Sequence, residues 1–309
     1  METIHSIAEL IEQQKDVVTS LEYSGKTLKF LTNSPYPLKR VCTLEVAEPE
    51  TIAWLNAIPS DEILWDIGAN MGIFTLYAAI IRNIQVYSFE PEASNYALLS
   101  KNIQLNNLAD KVTALCCGLS NENSIHALFK YCDFESSGIN SVGEEVDAHL
   151  RPRKSLSKQT VITFTGDELA NYKGFSSPQH IKIDVDGIEH LIISGLHKTL
   201  KNNCKSLLVE LNLTLPEHRE VVDILQGYGF KTHLQLTEDT RIKNGYWKDM
   251  VNMIFSRDDS ILKDIAQNYY TFTEQSTDYH AYQLALSENR SEQFYQTSHP
   301  VRIEFLKRK

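Results

Sequence analysis

The sequence predicts an α/β fold: a mostly parallel seven-stranded sheet with helices on both faces, an N-terminal helix and β extension, and a C-terminal tail. Three observations carry this. Short apolar runs alternate with helix-length stretches from Ile63 to Phe255, which demands crossover connections and a parallel sheet. The run Ile63-Leu64-Trp65 enters a glycine turn, Asp66-Ile67-Gly68-Ala69-Asn70-Met71-Gly72, which opens a helical stretch. With 309 residues, 42% of them hydrophobic, the chain can fill one large core with terminal additions.

Taken in order, Ile4, Ile7, Ala8, Ile11 and Val18 suit one face of an N-terminal helix before Gly25. Strand-like runs follow at Leu28 to Leu31 and Val41 to Val46, and Pro49-Glu50 opens a short helix that Pro59 ends. After the glycine turn, a helix runs from Ile73 to Ile81. A second cycle pairs strand Gln85 to Phe89 with a helix from Pro91 to about Leu105, and a third strand spans Val112 to Cys116. From Ser120 to Lys158 the pattern weakens into a long excursion over the sheet, and a run of that length in a compact fold is usually functional or mobile. Alternation resumes with strand Ile181 to Val185, a helix from Gly187 to Leu200, strand Ser206 to Glu210 and a helix from Glu217 to Tyr228. Phe230 to Leu236 and Val251 to Phe255 read as an antiparallel pair at the sheet edge. The expected units are an extension at 1–60, a main domain at 61–256 and an aromatic-rich tail at 257–309, which should pack on the domain or on a second subunit.

Composition excludes several classes. A formal charge of −10 repels a phosphate backbone, so a nucleic-acid substrate is disfavoured. The compact basic groups are Arg151-Pro152-Arg153-Lys154 and Lys307-Arg308-Lys309, which could meet a small anion. No stretch has the length of a membrane-spanning helix, and no leader pattern opens the chain, so a cytoplasmic protein is expected. The five cysteines are scattered, without paired zinc spacings, and Cys116 and Cys117 read as packing residues.

In an open α/β sheet the ligand sits beyond the carboxyl ends of the strands. Gly68 and Gly72 permit a tight turn with close backbone approach there. A dinucleotide enzyme would present G-x-G-x-x-G for a pyrophosphate, whereas Asp66 in D-x-G-x-N-x-G suits a ligand carrying an amino group and a sulfonium. This favours S-adenosylmethionine over NAD. Glu90, at the end of the second strand, can accept hydrogen bonds from ribose hydroxyls, although it could also merely cap the next helix.

From about Glu45 to Ser256 the sequence resembles the FkbM family of methyltransferases. The matching segments are Glu48-Pro49-Glu50-Thr51 with Trp54, Trp65 to Gly72, Phe89-Glu90-Pro91, Gly138-Ile139-Asn140-Ser141-Val142, Lys182-Ile183-Asp184-Val185-Asp186-Gly187-Ile188-Glu189, and Val209-Glu210-Leu211-Asn212. Many relatives carry Glu where Asp186 stands. The resemblance implies a Rossmann-like class I methyltransferase fold, S-adenosylmethionine as donor, and oxygen methylation of a sugar or polyketide-type hydroxyl. It also implies Asp66, Gly68, Asn70 and Gly72 at the methionine end, Glu90 on the ribose, and Cys117-Gly118-Leu119 near the adenine. Asp184 would lie beside the methyl group.

For a hydroxyl acceptor a proton must leave, and Asp184, Asp186, Glu189, His190 and Glu210 are acceptors near strand ends. Asp184 and Glu210 are the catalytic candidates, while Asn140, Ser141, Lys182 and Asp186 are the acceptor-binding ones, with Tyr131 and Phe134 in the excursion as further contacts. Glu189 could equally stabilise its helix N-terminus, and His180 and His190 read as packing or surface residues. Asp184, Asp186, Glu189 and Glu210 could alternatively hold a divalent cation. The expected activity is methylation of a carbohydrate or glycan-precursor hydroxyl. Nitrogen methylation and a catalytically silent binding domain remain as rivals.

Overall fold

The computed structural model describes residues 15–288, 297 and 299–307. Most of the expected N-terminal helix lies outside those residues, but its last part is corrected: Lys15–Tyr23 is a strand, β1. Consecutive β-branched Val17, Val18 and Thr19 favour extended backbone. Ser24 and Gly25, at φ 50° and 74°, turn the chain tightly into β2, Lys26–Leu31. The strand expected at Val41 to Val46 is also corrected. Prolines at 35 and 37 start a helix, Pro35–Cys42, and its buried face is Pro37, Val41 and Cys42. A second helix, Pro49–Ala57, leads to the main sheet.

That sheet contains β3 (Ile63–Ile67), β4 (Gln85–Phe89) and β5 (Val112–Leu115). The excursion then builds a smaller sheet of its own, correcting the patternless reading: β6 (Gly118–Leu119), β7 (Ser124–Lys130), β8 (Asn140–Val142) and β9 (Ser157–Phe164), in the order β6-β9-β7-β8. Its polar, half-exposed strands have no clean period-2 pattern, because only part of one face is covered. The main sheet resumes with β10 (His180–Ile183), β11 (Ser206–Asn212), β12 (Lys231–Thr232) and β13 (Met250–Ser256). Beyond β12, the strand expected through Leu236 gives way to a helix, Leu234–Thr240, whose N-terminus is capped by the His233 ring accepting from the Leu236 N–H.

The order of the seven-stranded sheet is β12-β13-β11-β10-β3-β4-β5, and β13 runs antiparallel to both neighbours while the other pairs are parallel. The chain leaves β3 toward one edge and returns through β10 toward the other, so the switch point lies between β3 and β10. Two cores flank the sheet. Leu64, Val86, Leu208 and Ile254 point into one, and Trp65, Tyr87, Val209 and Phe255 into the other, as alternation along a strand requires.

The tail packs on this body. In the helix Asp259–Gln275, Leu262, Ile265, Ala266 and Tyr269 join the core that holds Ile52 and Leu55 of the Pro49–Ala57 helix. A second helix, Thr277–Ser287, follows, and β14 (Val301–Lys307) pairs antiparallel with β1. Phe294, Tyr295, Arg308 and Lys309 lie outside the described residues, among which no helix is long and apolar enough to cross a membrane.

Candidate active site

The glycine turn works because of what lies beside it. At Gly68, φ 85°, a Cβ would come 1.9 Å from the Asp184 carbonyl oxygen, so only glycine lets the ends of β3 and β10 touch. Gly72, φ 88°, starts the helix Ile73–Ile80 against Leu99. Asn70 sits at φ 51°, and its side chain is committed: it donates to the Ser136 and Ser137 carbonyls and accepts from the Met71 N–H and the Ser136 hydroxyl. It therefore braces the loop against the 136–137 segment and lines the cleft without a free amide group.

A cleft of about 980 Å³ opens at the switch point, lined at one end by Asp66, Gly68, Asn70, Glu90, Cys117 and Gly118. Asp66 is 1% exposed. Its Oδ2 accepts from the Thr75 hydroxyl at 2.5 Å, and its Oδ1 is buried without a partner. Burial pushes this carboxyl up, against the pull of Lys182 and Thr75. An orphaned carboxylate oxygen is costly unless a ligand donor meets it, and an ammonium would. Glu90 accepts the Glu92 N–H at Oε1 (2.9 Å) and the Asn70 N–H at Oε2 (2.8 Å), leaving one lone pair on each oxygen. Burial raises its carboxyl to about 7. The Cys117 thiol is pushed up to about 12 by burial, as befits a packing residue. These groups fit the amino, ribose and base ends of S-adenosylmethionine.

Next along the cleft is an acid-rich floor. Lys182 is 2% exposed, and its ammonium donates to Asp184 Oδ2 at 2.6 Å while lying over the Phe74 ring. Burial alone would lower Lys182, but the carboxylates of Asp184, Glu48 and Asp66 hold it above its ordinary range. Asp184 Oδ1 makes no hydrogen bond among the described residues, and Glu210 Oε2 is buried without one. Burial and then Asp184 push Glu210 well above the usual carboxylate range, and the same causes act on Asp186. The sequence reading missed part of this floor. Glu48 and Glu50 both accept from Asn252 Nδ2, at 3.2 and 2.9 Å, and burial with Glu48 beside it raises Glu50 to about 8. Both stand within a segment that resembles the family, but nothing in their spacing says that Asn252, two hundred residues later, completes the group.

Glu189 and Ser141 fall elsewhere. Glu189 is wholly buried and accepts from the Val185 and Gly187 N–H groups, so it closes the acid loop where Asp186 (φ 62°) and Gly187 (φ 125°) turn. His218 bridges from the next helix. Its Nδ1 accepts the Asn212 N–H at 2.8 Å and Nε2 reaches the Gly187 carbonyl at 3.2 Å and Glu189 at 3.3 Å. Glu189 pulls the imidazole up, yet the accepting Nδ1 specifies the neutral Nε2–H tautomer. Ser141 is buried, spends its hydroxyl on the Glu144 carbonyl and does not line the cleft. Tyr131, bound to the Val146 carbonyl, and Phe134, packed on Tyr36, are also outside its lining, whereas Asn140 lines it with Oδ1 buried and unpartnered. His180 is a packing residue as expected: it joins Glu62 and Ser206 beneath the opposite ends of the strands. Among the described residues no group of three or more His, Cys, Asp or Glu side chains is arranged to hold a metal ion.

The far wall comes from distant parts of the chain: Tyr36 and Arg40, the 239–247 segment with Tyr246 and Trp247, and Tyr279 and Tyr282 of the tail. His149 Nδ1 meets Asn212 Nδ2 at 2.9 Å and its Nε2 meets the Tyr246 carbonyl at 2.7 Å, tying that wall to the end of β11.

Sheet order, switch-point cleft, glycine turn and the two acids that line the cleft beside it fit a Rossmann-like, class I, S-adenosylmethionine-dependent methyltransferase. The chain belongs to the Methyltransferase FkbM domain family, whose pattern matches residues 66–232. It is 25% identical over 213 residues to the hexuronic acid methyltransferase AglP of Haloferax volcanii, covering 69% of this chain and 82% of that one. It is also 25% identical over 191 residues to the 31-O-demethyl-FK506 methyltransferase FkbM of Streptomyces tacrolimicus, covering 55% and 72%. The crystal structure of a methyltransferase FkbM from Methylobacillus flagellatus overlaps 64% of this chain and 44% of its own at 14% identity, with a TM-score of 0.40.

Proposed function

We propose that the protein methylates a hydroxyl oxygen of a carbohydrate or glycan precursor. The observation that carries this is the set of unpartnered acceptors facing one part of the cleft: Asp184 Oδ1, Glu210 Oε2, Asn140 Oδ1 and Asn252 Oδ1. Buried acceptors of this kind call for a donor-rich ligand, and a ring carrying several hydroxyls is one. Aromatic rings at Tyr246, Trp247, Tyr279 and Tyr282 offer flat apolar walls for such a ring.

In this reading Asp66 holds the amino group of S-adenosylmethionine, Glu90 the ribose hydroxyls, and Cys117 and Gly118 flank the base. When bound, the sulfonium supplies an electrophilic methyl. Lys182 anchors Asp184 and does not itself touch the acceptor. Asp184 Oδ1 accepts the hydroxyl proton as the acceptor oxygen forms its bond to the methyl carbon and the carbon–sulfur bond breaks. Alignment of oxygen and methyl supplies much of the acceleration. Glu210 accepts from a neighbouring hydroxyl of the acceptor, while Asp186 and Asn140 orient it. The main domain at 61–256 carries the cofactor, Tyr36 and Arg40 from the N-terminal extension with Tyr279 and Tyr282 from the tail complete the acceptor wall, and a non-nucleic-acid acceptor accords with the net charge of −10. A homodimer through the tail is compatible with it.

The test is product analysis with methyl-labelled S-adenosylmethionine over sugar and amine acceptors: label on oxygen supports the proposal and label on nitrogen sinks it. A second check uses pH. Because the ribose hydroxyls donate to ionised Glu90, S-adenosylhomocysteine affinity should rise roughly ten-fold per pH unit up to about 7 and then level off. The linked stability term has the opposite slope. A carboxyl raised from 4.5 to about 7 stabilises the free protein below 4.5 and loses that contribution as pH climbs through 7. Calorimetry on Glu90→Gln should give weaker binding without this pH dependence, and an unchanged slope would remove Glu90 from the ribose.

A further inference from the structure

We propose that Arg40 selects an acceptor bearing an anionic group, a carboxylate or phosphate, on the same molecule as the methylated hydroxyl. This rests on the sugar reading above and narrows it to an acidic sugar.

Arg40 stands in the last turn of the Pro35–Cys42 helix, outside the segment that the family pattern matches. A base near a helix C-terminus is common, because it offsets the end of the helix dipole. That does not account for its donors. The Arg40 Nε is buried without a partner, and its guanidinium makes no hydrogen bond among the described residues. Other bases lining the cleft are committed: Lys182 to Asp184 at 2.6 Å, Arg241 to Asp249 at 3.1 Å, and Lys243 to the Glu238 carbonyl at 3.0 Å.

The guanidinium is also preorganised. It lies 5.4 Å from the centre of the Tyr36 ring, which in turn packs on Phe134 at 4.9 Å. Its Nη2 is 3.3 Å from where a Gly138 Cβ would stand, and Asp186 Oδ2 is 3.9 Å from the same point. Arg40 therefore faces the cleft beside Asp186, where the acceptor must lie to reach Asp184. Asp186 and Glu48 feel its charge, but neither forms an ion pair with it. Asp186 is pushed up by burial and by Asp184 and Glu189, with Arg40 pulling the other way. The Nη donors of a guanidinium held over a ring suit the oxygens of a carboxylate or phosphate.

The experiment is calorimetry on the full chain saturated with S-adenosylhomocysteine, titrated with methyl glucuronide, glucose 6-phosphate and methyl glucoside. An anionic sugar should bind about ten-fold or more tighter than methyl glucoside, and Arg40→Gln should erase that preference while Arg40→Lys keeps part of it. The carboxylate and phosphate arms say which anion is preferred. Absence of any anionic preference in the wild type, or a preference that survives in Arg40→Gln, overturns the proposal. The cofactor titration that precedes them separates the two readings. Failure to bind S-adenosylhomocysteine counts against the methyltransferase chemistry, whereas methyl glucoside bound and methylated as well as the acids leaves that chemistry standing and removes the role of Arg40.

Discussion

Replacing Asp184 by Asn should lower kcat by about 10²–10⁴ while leaving S-adenosylhomocysteine affinity within a factor of about two. The substitution is nearly isosteric. The amide oxygen can still accept from Lys182 Nζ, now at 2.6 Å from Oδ2, so the ammonium keeps a partner along with the nearby Glu48 and Asp66. What disappears is the open carboxylate oxygen, the group proposed to take the acceptor proton. The groups assigned to the cofactor keep their own anchors, since Glu90 is held by the Asn70 and Glu92 N–H groups and Asp66 by Thr75. Single-turnover transfer of labelled methyl checks the prediction. A kcat within about three-fold of wild type would assign proton removal to water or another acid.

His218→Ala should be the most damaging change outside the cleft, costing about 2–6 kcal/mol. It orphans two buried backbone groups, the Asn212 N–H and the Gly187 carbonyl, at about 1–3 kcal/mol each, and leaves a void against Glu189. The loop that turns through Asp186 and Gly187 then loses its outer support, and a displacement of about 1 Å at a reacting group can cost on the order of 10²-fold in rate. Denaturant unfolding reads the first effect. The second is read as a fall in kcat beyond any loss of folded protein. His218→Gln, which keeps a donor toward Gly187, should recover part of both. An alanine variant with an unchanged midpoint would show that water replaces the ring.

Much of the catalytic half was legible in the chain because it is local. Asp66, Gly68 and Gly72 belong to one turn, Glu90 closes the neighbouring strand, and the Lys182 to Glu189 segment carries Asp184 at the end of β10. Short-range spacing and strand alternation suffice to place such groups. Errors arose where the pattern was ambiguous or weak. Val41 to Val46 is short and apolar enough to suit a strand, yet the prolines before it had already begun a helix. Ser141 lies beside Asn140, but successive strand residues face opposite ways, so one meets the cleft and the other the interior.

By itself, then, the sequence determined the α/β class, the glycine turn with its neighbouring acids and the acid that follows β10, since periodicity and turn chemistry are written in neighbouring residues. Only the tertiary structure decided the far wall of the cleft. Arg40, Glu48 and Glu50, Asn252, Tyr246 and Tyr282 come from helices, loops and the tail, and meet only when the sheet reverses at β3 and β10. Their partners are fixed by long-range packing, in which a donor such as Asn252 Nδ2 finds its carboxylates some two hundred positions away. No spacing rule spans that distance.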